Sequence, residues 1–230
     1  MKKIGDVCNH EYKFNSYEDD NSYYDDLTKD LGDNYNKQEI FDRFLTYRRR
    51  MARMAAIQAL YLYDIRNKKL DNHDSNNMFK NTNNGFDTVQ LCQDVIYFYR
   101  NVFFTQQEYG WTKKSKKIDE TFMFELTDIA ILNINEIDSL IQSRLTGNWT
   151  TEKLDFLLRA ILRCAIAEIL LGIKIEKAVL CSEYTNLAGN FFGAKEVGFI
   201  NGIVDKLYSV VIKLHPFMDG IVIKTEDGSL

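Results

Sequence analysis

The chain is poor in the residue types that build metal centres and disulfide-stabilised folds. Of its 230 residues, one is proline and four are cysteine, and the cysteines lie far apart, with no C-x-x-C pair and no histidine at ligand spacing. Neither a zinc site nor a disulfide framework is indicated, so reduced thiols are expected. The glycines form no phosphate-binding loop, and the sequence predicts no cofactor.

Groups that could carry out catalysis are also few and scattered. The three histidines lie near the amino terminus, in an Asn-rich stretch and after the last predicted helix, which makes a histidine-based site improbable. Glu168 and Glu183 lie on apolar helices, where pairing with Arg163 or with a helix terminus is the expected role of a carboxylate. The sequence therefore predicts no catalytic residue and a protein that is not an enzyme.

Long apolar runs are missing as well. The most apolar stretch, residues 154–175, is interrupted by charged residues that include Asp155, Arg159, Arg163 and Glu168, and the start of the chain lacks the apolar region of a signal peptide. These features predict a cytoplasmic protein with no membrane partner.

Charge and polarity divide the chain into a body and three appendages. Residues 1–37 hold 5 of the 29 basic and 9 of the 33 acidic residues, which leaves 24 of each for the rest. We interpret residues 1–40, rich in Asp, Asn and Tyr, as a disordered extension, residues 67–85 as an Asn-rich loop insertion and residues 216–230 as a tail. The chain from residue 38 onward is therefore neutral overall, so any nucleic-acid binding by the body, residues 41–215, must come from a local patch.

Apolar residues recur at helical spacing through the body, and no strand-like alternation is sustained. The sequence predicts an all-α bundle of about seven helices. The predicted helices lie near residues 48–65, 86–103, 120–133, 136–145, 151–172, 176–192 and 196–214.

A basic cluster, Arg48-Arg49-Arg50-Met51-Ala52-Arg53, runs directly into the first of these helices. On a helical wheel Arg49, Arg50 and Arg53 share one face. Because unpaired guanidinium groups are rarely buried, we expect this face to meet the core only from about Met54 onward, so that the arginines project together towards RNA phosphates. A solvated helix start is the alternative interpretation.

Aromatic residues offer a second means of contacting RNA. Phe191 and Phe192 lie at a helix end, before a turn that carries Lys195, where they could stack on unpaired bases. Packing in the core is the alternative for both rings. We therefore count Phe191, Phe192 and Lys195 as candidate RNA-binding residues beside the arginine cluster.

Several short motifs in order resemble the NusB family, whose members are all-helical proteins built as two packed helical subdomains. The resemblance extends from about residue 43 to residue 214. The motifs are Arg48–Arg53 with Ile57–Tyr61, Glu136–Asp138, Trp149, Leu158–Ala165 with Glu168–Leu170, Glu183-Tyr184 and Gly198–Lys206.

The resemblance implies a non-catalytic function. Members of the family bind the boxA RNA element together with NusE, a small-subunit ribosomal protein, in a complex that supports antitermination by RNA polymerase and ribosomal RNA synthesis. Arg49, Arg50 and Arg53 match the arginine-rich RNA-binding start, and Arg48 extends it. The expected partners are single-stranded boxA-like RNA, a NusE-like protein and the RNA polymerase elongation complex.

The resemblance also indicates where such a protein partner would bind. Tyr61 matches an aromatic position tied to assembly of the complex, and Glu152 and Leu158 fall near positions that face NusE, although Leu158 replaces an acid of some members. Homodimers occur in parts of the family, so self-association stays an alternative. A helical module of a ribosomal RNA cytosine methyltransferase system, and an interaction module whose RNA grip has decayed, are competing functional interpretations.

Overall fold

A computed structural model describes residues 36–72, 88–103, 118–172 and 175–214. These residues form seven α-helices and no strand, which confirms the predicted all-α class. The helices are α1 Lys37–Asn72, α2 Thr88–Phe98, α3 Glu120–Leu132, α4 Ile134–Gln142, α5 Phe156–Leu170, α6 Lys177–Ala188 and α7 Ala194–Leu214. A π-helical turn, Tyr99–Phe103, continues α2, and a 3-10 turn, Thr151–Lys153, precedes α5.

The first helix is longer than its sequence pattern predicts. Residues 37–40, assigned above to the extension, form its first turn, where the Asn36 side chain accepts a hydrogen bond from the amide of Glu39 at 3.3 Å. Residues 67–72, assigned to the loop insertion, form its end. The remainder of the extension, of the insertion and of the tail lies outside the described residues.

The fifth helix begins later than predicted. Asp155 caps it, with a side-chain oxygen that accepts hydrogen bonds from the amides of Leu157 at 2.9 Å and Leu158 at 3.2 Å. The preceding residues form the separate turn Thr151–Lys153. Every residue from Leu158 to Ile169 is buried, as expected of a helix that is packed on all sides.

The helices form two groups that share α5. Helices α1, α2 and α3 pack on one another, and α4, α6 and α7 complete a second group around α5. Helix α5 also packs on α1 and α3, so it joins the groups into one core. This arrangement agrees with the two packed subdomains implied by the resemblance.

Two buried ion-pair networks fasten α1 to α5. In the middle of α1, Arg53 pairs with Glu168, and eleven residues later Asp64 pairs with Arg159 and Arg163. Because residues later in α1 pair with residues earlier in α5, the two helices are antiparallel. Burial of these charges is compensated by hydrogen-bonded partners, as charges in a protein interior require.

The described residues contain no helix long and apolar enough to cross a membrane, and no group of three or more His, Cys, Asp or Glu side chains suited to a metal ion. Cys92, Cys164 and Cys181 are thiols there. Burial raises the pKa of the Cys164 thiol to about 12, so this group stays protonated at neutral pH.

Candidate nucleic-acid interface

The arginine cluster lies where α1 passes from solvent into the core. The side chains of Arg49 and Arg50 are 40% and 45% exposed, whereas that of Arg53 is 6% exposed. Arg48 is half-buried, with its guanidinium carbon 5.6 Å from the centroid of the Phe44 ring. Two of the four candidate arginines therefore offer much of their guanidinium groups to solvent.

Arg50 is held by a carboxylate of α6. Its Nη2 donates to Oε1 of Glu183 at 2.7 Å, and its Nε donates to Oε2 at 3.2 Å. This bidentate geometry is the strongest form of an arginine–carboxylate pair. The hydrogen bond to Glu183 raises the pKa of Arg50, so its charge is permanent.

Arg53 corrects the sequence-based expectation. Its Nε and Nη2 donate to the two oxygens of Glu168 at 2.8 and 2.6 Å, and its Nη1 donates to Glu183 at 3.3 Å. Burial acts to lower the pKa of Arg53, but the bonds and charges of its partners raise it above the ordinary value. The prediction that Arg53 projects into solvent is wrong, because α5 and α6 supply the anions that a buried guanidinium needs.

Arg49 is oriented by the first turn of α3. Its guanidinium carbon lies 4.9 Å from the centroid of the Phe122 ring, and its Nε lies 3.7 Å from Oδ2 of Asp119. Asp119 is fixed as the cap of α3, since its side chain accepts a hydrogen bond from the amide of Phe122 at 3.1 Å. Arg53 approaches the same ring at 5.4 Å, so Phe122 makes cation–π contacts with two arginines.

The candidate aromatic residues separate in the structure. Phe191 is 47% exposed, whereas Phe192 is partly buried against the hydrophobic core. Both backbone amides donate to the carbonyl of Ala188 at the end of α6, which fixes the turn. Lys195 is exposed on the first turn of α7. Phe191 and Lys195 are thus accessible, and Phe192 has the core role weighed as its alternative.

The three candidate partner residues belong to elements that one network brings together. Arg159 Nε donates to Asp64 on α1 at 2.9 Å, and Arg159 Nη1 donates to the carbonyl of Thr151 at 3.3 Å. These contacts hold the later half of α1, which carries Tyr61, beside the turn that carries Glu152.

Tyr61 and Glu152 are exposed, but Leu158 is only 7% exposed and belongs to the core cluster. The expectation that the Leu158 side chain faces a protein partner is therefore corrected. Glu152 sits on an exposed turn, where a hydrogen bond from its own backbone and one from Thr150 lower the pKa of its carboxyl. Tyr61 and Glu152 remain predicted partner contacts.

Glu168 and Glu183 both pair with arginine, as the sequence predicted, but the partners are Arg50 and Arg53 and not Arg163. Arg163 instead binds Asp64 at 2.8 Å and Asp138 at 2.6 and 2.7 Å. A buried ion pair was predictable for both glutamates from the sequence, since each lies on an apolar helix. Asp119 and Phe122 were missed, because nothing in the sequence sets the start of α3 beside Arg49.

Acid is expected to weaken the Glu183 contacts. Burial acts to raise the pKa of Glu183, but the hydrogen bond from Arg50 and the charges of Arg50 and Arg53 lower it below the ordinary 4.5. A carboxyl whose pKa is lowered by folding stabilises the folded state above its unfolded pKa and loses this contribution as the pH falls through its folded pKa. We expect the melting-temperature difference between wild type and Glu183→Gln to shrink below about pH 4.5.

Thermal unfolding followed by circular dichroism between about pH 3 and pH 7 checks this dependence. Glu136→Gln, at an exposed position of α4, is the control for the loss of one carboxylate. A difference for Glu183→Gln that stays constant through the acid range would contradict the lowered pKa.

A sequence model of the NusB family matches residues 100–209. The transcription antitermination protein NusB of Rickettsia bellii is 31% identical over 159 residues, which are 68% of this chain and 87% of that protein. The protein of the same name from Caulobacter vibrioides is 30% identical over 159 residues, 69% of this chain and 91% of that protein.

Among solved structures, a crystal structure of the antitermination factors NusB and NusE in complex with dsRNA contains a chain that is 21% identical, with a TM-score of 0.49. The similarity covers 71% of this chain and 98% of that one. The resemblance read from the motifs is confirmed by the curated relatives, one of them 31% identical and matched over 87% of its length, and this chain belongs to the NusB family.

Proposed function

We propose that this chain is a non-catalytic, cytoplasmic transcription antitermination factor. It binds boxA-like single-stranded RNA through Arg49 and Arg50 of α1, together with a NusE-like ribosomal protein, and supports transcription of ribosomal RNA by the RNA polymerase elongation complex. The name shared by the relatives from Rickettsia bellii and Caulobacter vibrioides, transcription antitermination protein, supports this function.

The observation that carries the proposal is the paired presentation of Arg49 and Arg50. Both are exposed, adjacent in the chain and oriented by fixed neighbours, Phe122 with Asp119 for one and Glu183 for the other. Guanidinium groups stay charged and donate in a fork that matches phosphate oxygens. The chain as a whole carries a net charge of −4, so this local patch, and not a general positive field, is what would attract RNA.

The end of α6 extends the interface from phosphate to base contacts. Glu183, which holds Arg50, lies five residues before the end of α6 at Ala188, a rise of about 7.5 Å. Phe191 and Lys195 follow in the next turn and the start of α7. An exposed ring beyond the end of the helix that holds Arg50 suits a single strand, whose unpaired bases stack on aromatic side chains.

The NusE-like protein is proposed to dock near Tyr61 and Glu152. Both residues are exposed, and the network through Asp64, Arg159 and Thr151 fixes the elements that carry them. Tyr61 lies eleven residues after Arg50 on α1, a rise of about 16.5 Å, so this docking surface and the arginine pair are separate parts of the molecule. RNA and protein can therefore bind at the same time.

The proposal is tested by a salt-dependent titration of boxA-like and scrambled single-stranded RNA, each with and without the NusE-like protein. We expect tighter binding of the boxA-like strand, further strengthened by the protein. The logarithm of the binding constant should fall linearly with the logarithm of the salt concentration. Equal, weak binding of both strands would overturn the antitermination proposal and favour a general helical scaffold.

The double replacement Arg49→Ala/Arg50→Ala should weaken binding of boxA-like RNA on the order of 10- to 100-fold, because two charged hydrogen-bond donors are lost. The salt slope should fall by about 2, one unit for each phosphate contact. Arg66→Ala is the matched control, since Arg66 is also on α1, is 43% exposed and pairs with Asp94 at 2.9 Å. An equal loss of affinity in this control would assign the effect to net charge rather than to the site.

A further inference from the structure

We propose that Glu183 is a positioning residue for RNA binding, which holds Arg50 by one edge of its guanidinium group so that the other edge is presented to a phosphate. The inference rests on the RNA-binding function proposed above. It assigns an acidic side chain a favourable role in binding a polyanion.

The hydrogen bonds to Glu183 use two of the five guanidinium N–H donors of Arg50. Arginine has five N–H donors in a fixed plane. In Arg50 the Nε hydrogen and one Nη2 hydrogen face the two oxygens of Glu183. The second Nη2 hydrogen and the neighbouring Nη1 hydrogen form the end edge of the guanidinium group, the other Nη1 hydrogen points back towards Cδ, and the side chain is 45% exposed. That edge has the geometry for a bidentate contact with a phosphate.

Glu183 is itself held in place by charges of the core. Its side chain is 11% exposed, and Oε2 accepts from Nη1 of Arg53 at 3.3 Å. Arg53 in turn is bound by both oxygens of Glu168, which also accepts from the Tyr184 hydroxyl at 2.8 Å. A chain of hydrogen bonds thus runs from the interior of α5 to the guanidinium of Arg50.

The benefit of such an anchor is entropic. A long side chain that is free in solution loses rotamer freedom when it binds, whereas one already held in the binding orientation loses less. Since binding by Arg50 would otherwise include this cost, loss of the anchor should weaken RNA affinity by about 2- to 10-fold.

Net charge alone predicts the opposite change in RNA affinity for a replacement of Glu183. Glu183→Gln removes a negative charge next to the phosphate site, and simple Coulomb repulsion would then make RNA bind more tightly. The amide of Gln also offers only one acceptor oxygen to Arg50, so the bidentate contact is lost. The direction of the change in affinity therefore separates positioning from net charge.

The test measures binding of boxA-like RNA to full-length wild type, Glu183→Gln, Arg50→Ala and the double variant Arg50→Ala/Glu183→Gln. We expect Glu183→Gln to bind 2- to 10-fold more weakly with an unchanged salt slope, since the phosphate contact itself is kept. Arg50→Ala should lower the slope by about 1, and the double variant should bind like Arg50→Ala alone. Glu183→Asp, which keeps both carboxylate oxygens, should lose less affinity than Glu183→Gln.

Each alternative outcome has a distinct meaning. Tighter binding by Glu183→Gln, or a loss that persists in the Arg50→Ala background, would overturn the positioning role. If the melting curve of Glu183→Gln indicates an unfolded protein, Glu183→Asp tests the geometry alone, because it keeps the charge and shortens the reach to Arg50. Weaker RNA binding by Glu183→Asp would then support the positioning role, and unchanged affinity would overturn it. Failure of the wild type to prefer boxA-like RNA would instead overturn the proposed function.

Discussion

Replacement of Arg53 by Ala is expected to lower the free energy of unfolding by about 3–5 kcal/mol, because it leaves the buried carboxylate of Glu168 without its counter-charge. The Glu168 side chain is fully buried, and Arg53 supplies both of its charged hydrogen bonds. For a chain of this size the melting temperature should fall by about 6–20 °C. Urea denaturation at pH 7, followed by circular dichroism, measures the change.

Two variants control for the location of the charge and for the size of the cavity. Arg50→Ala removes an arginine of the same cluster whose side chain is 45% exposed, and a change below about 1 kcal/mol is expected. In Arg53→Met/Glu168→Leu both members of the buried pair become apolar, and much of the stability should return. The Tyr184 hydroxyl keeps a bond to the carbonyl of Cys164 at 3.1 Å in that variant. A loss below about 1 kcal/mol in Arg53→Ala would contradict a compensated buried charge.

The contrast between Arg53 and its neighbours indicates what sequence could predict. Periodicity identified the helices because apolar spacing is a local property, and it placed Arg49, Arg50 and Arg53 correctly on one face. The depth at which that face enters the core is a tertiary property. On that face the change occurs at Arg53, which is buried, and not at Met54, because α5 and α6 bring Glu168 and Glu183 to Arg53.

The same limit applies to the other candidate residues. The sequence identified Glu152 and Leu158 by their order in a family pattern, but only packing separates an exposed turn from the buried face of α5 six residues later. The ion-pair partners of Arg159 and Arg163 could not be predicted for a related reason. Asp64 meets them because α1 and α5 are antiparallel, and no local pattern determines which residues of two antiparallel helices lie opposite one another.

The second buried network, further along α1, predicts an equally large loss of stability. Asp64, 6% exposed, accepts from Arg159 at 2.9 Å and from Arg163 at 2.8 Å, so Asp64→Ala leaves two buried guanidinium groups short of an anion. Arg163 keeps Asp138, whereas Arg159 keeps a 3.3 Å hydrogen bond to the uncharged Thr151 carbonyl. We expect a loss of about 3–5 kcal/mol in urea denaturation.

We expect Asp64→Ala to open the structure first around the replaced residue, before the whole protein unfolds, and this distinguishes it from Arg53→Ala. Amide exchange in Asp64→Ala should rise in the later turns of α1 and in the turn Thr151–Lys153, while the turns around Arg53 stay protected. Because that turn carries Glu152, the NusE-like protein should strengthen RNA binding less than in wild type, with binding of RNA alone unchanged. Asp94→Ala removes an exposed aspartate paired with Arg66 and should cost less than about 1 kcal/mol. Equal losses in the two aspartate variants would mean that the network does not fasten α1 to α5.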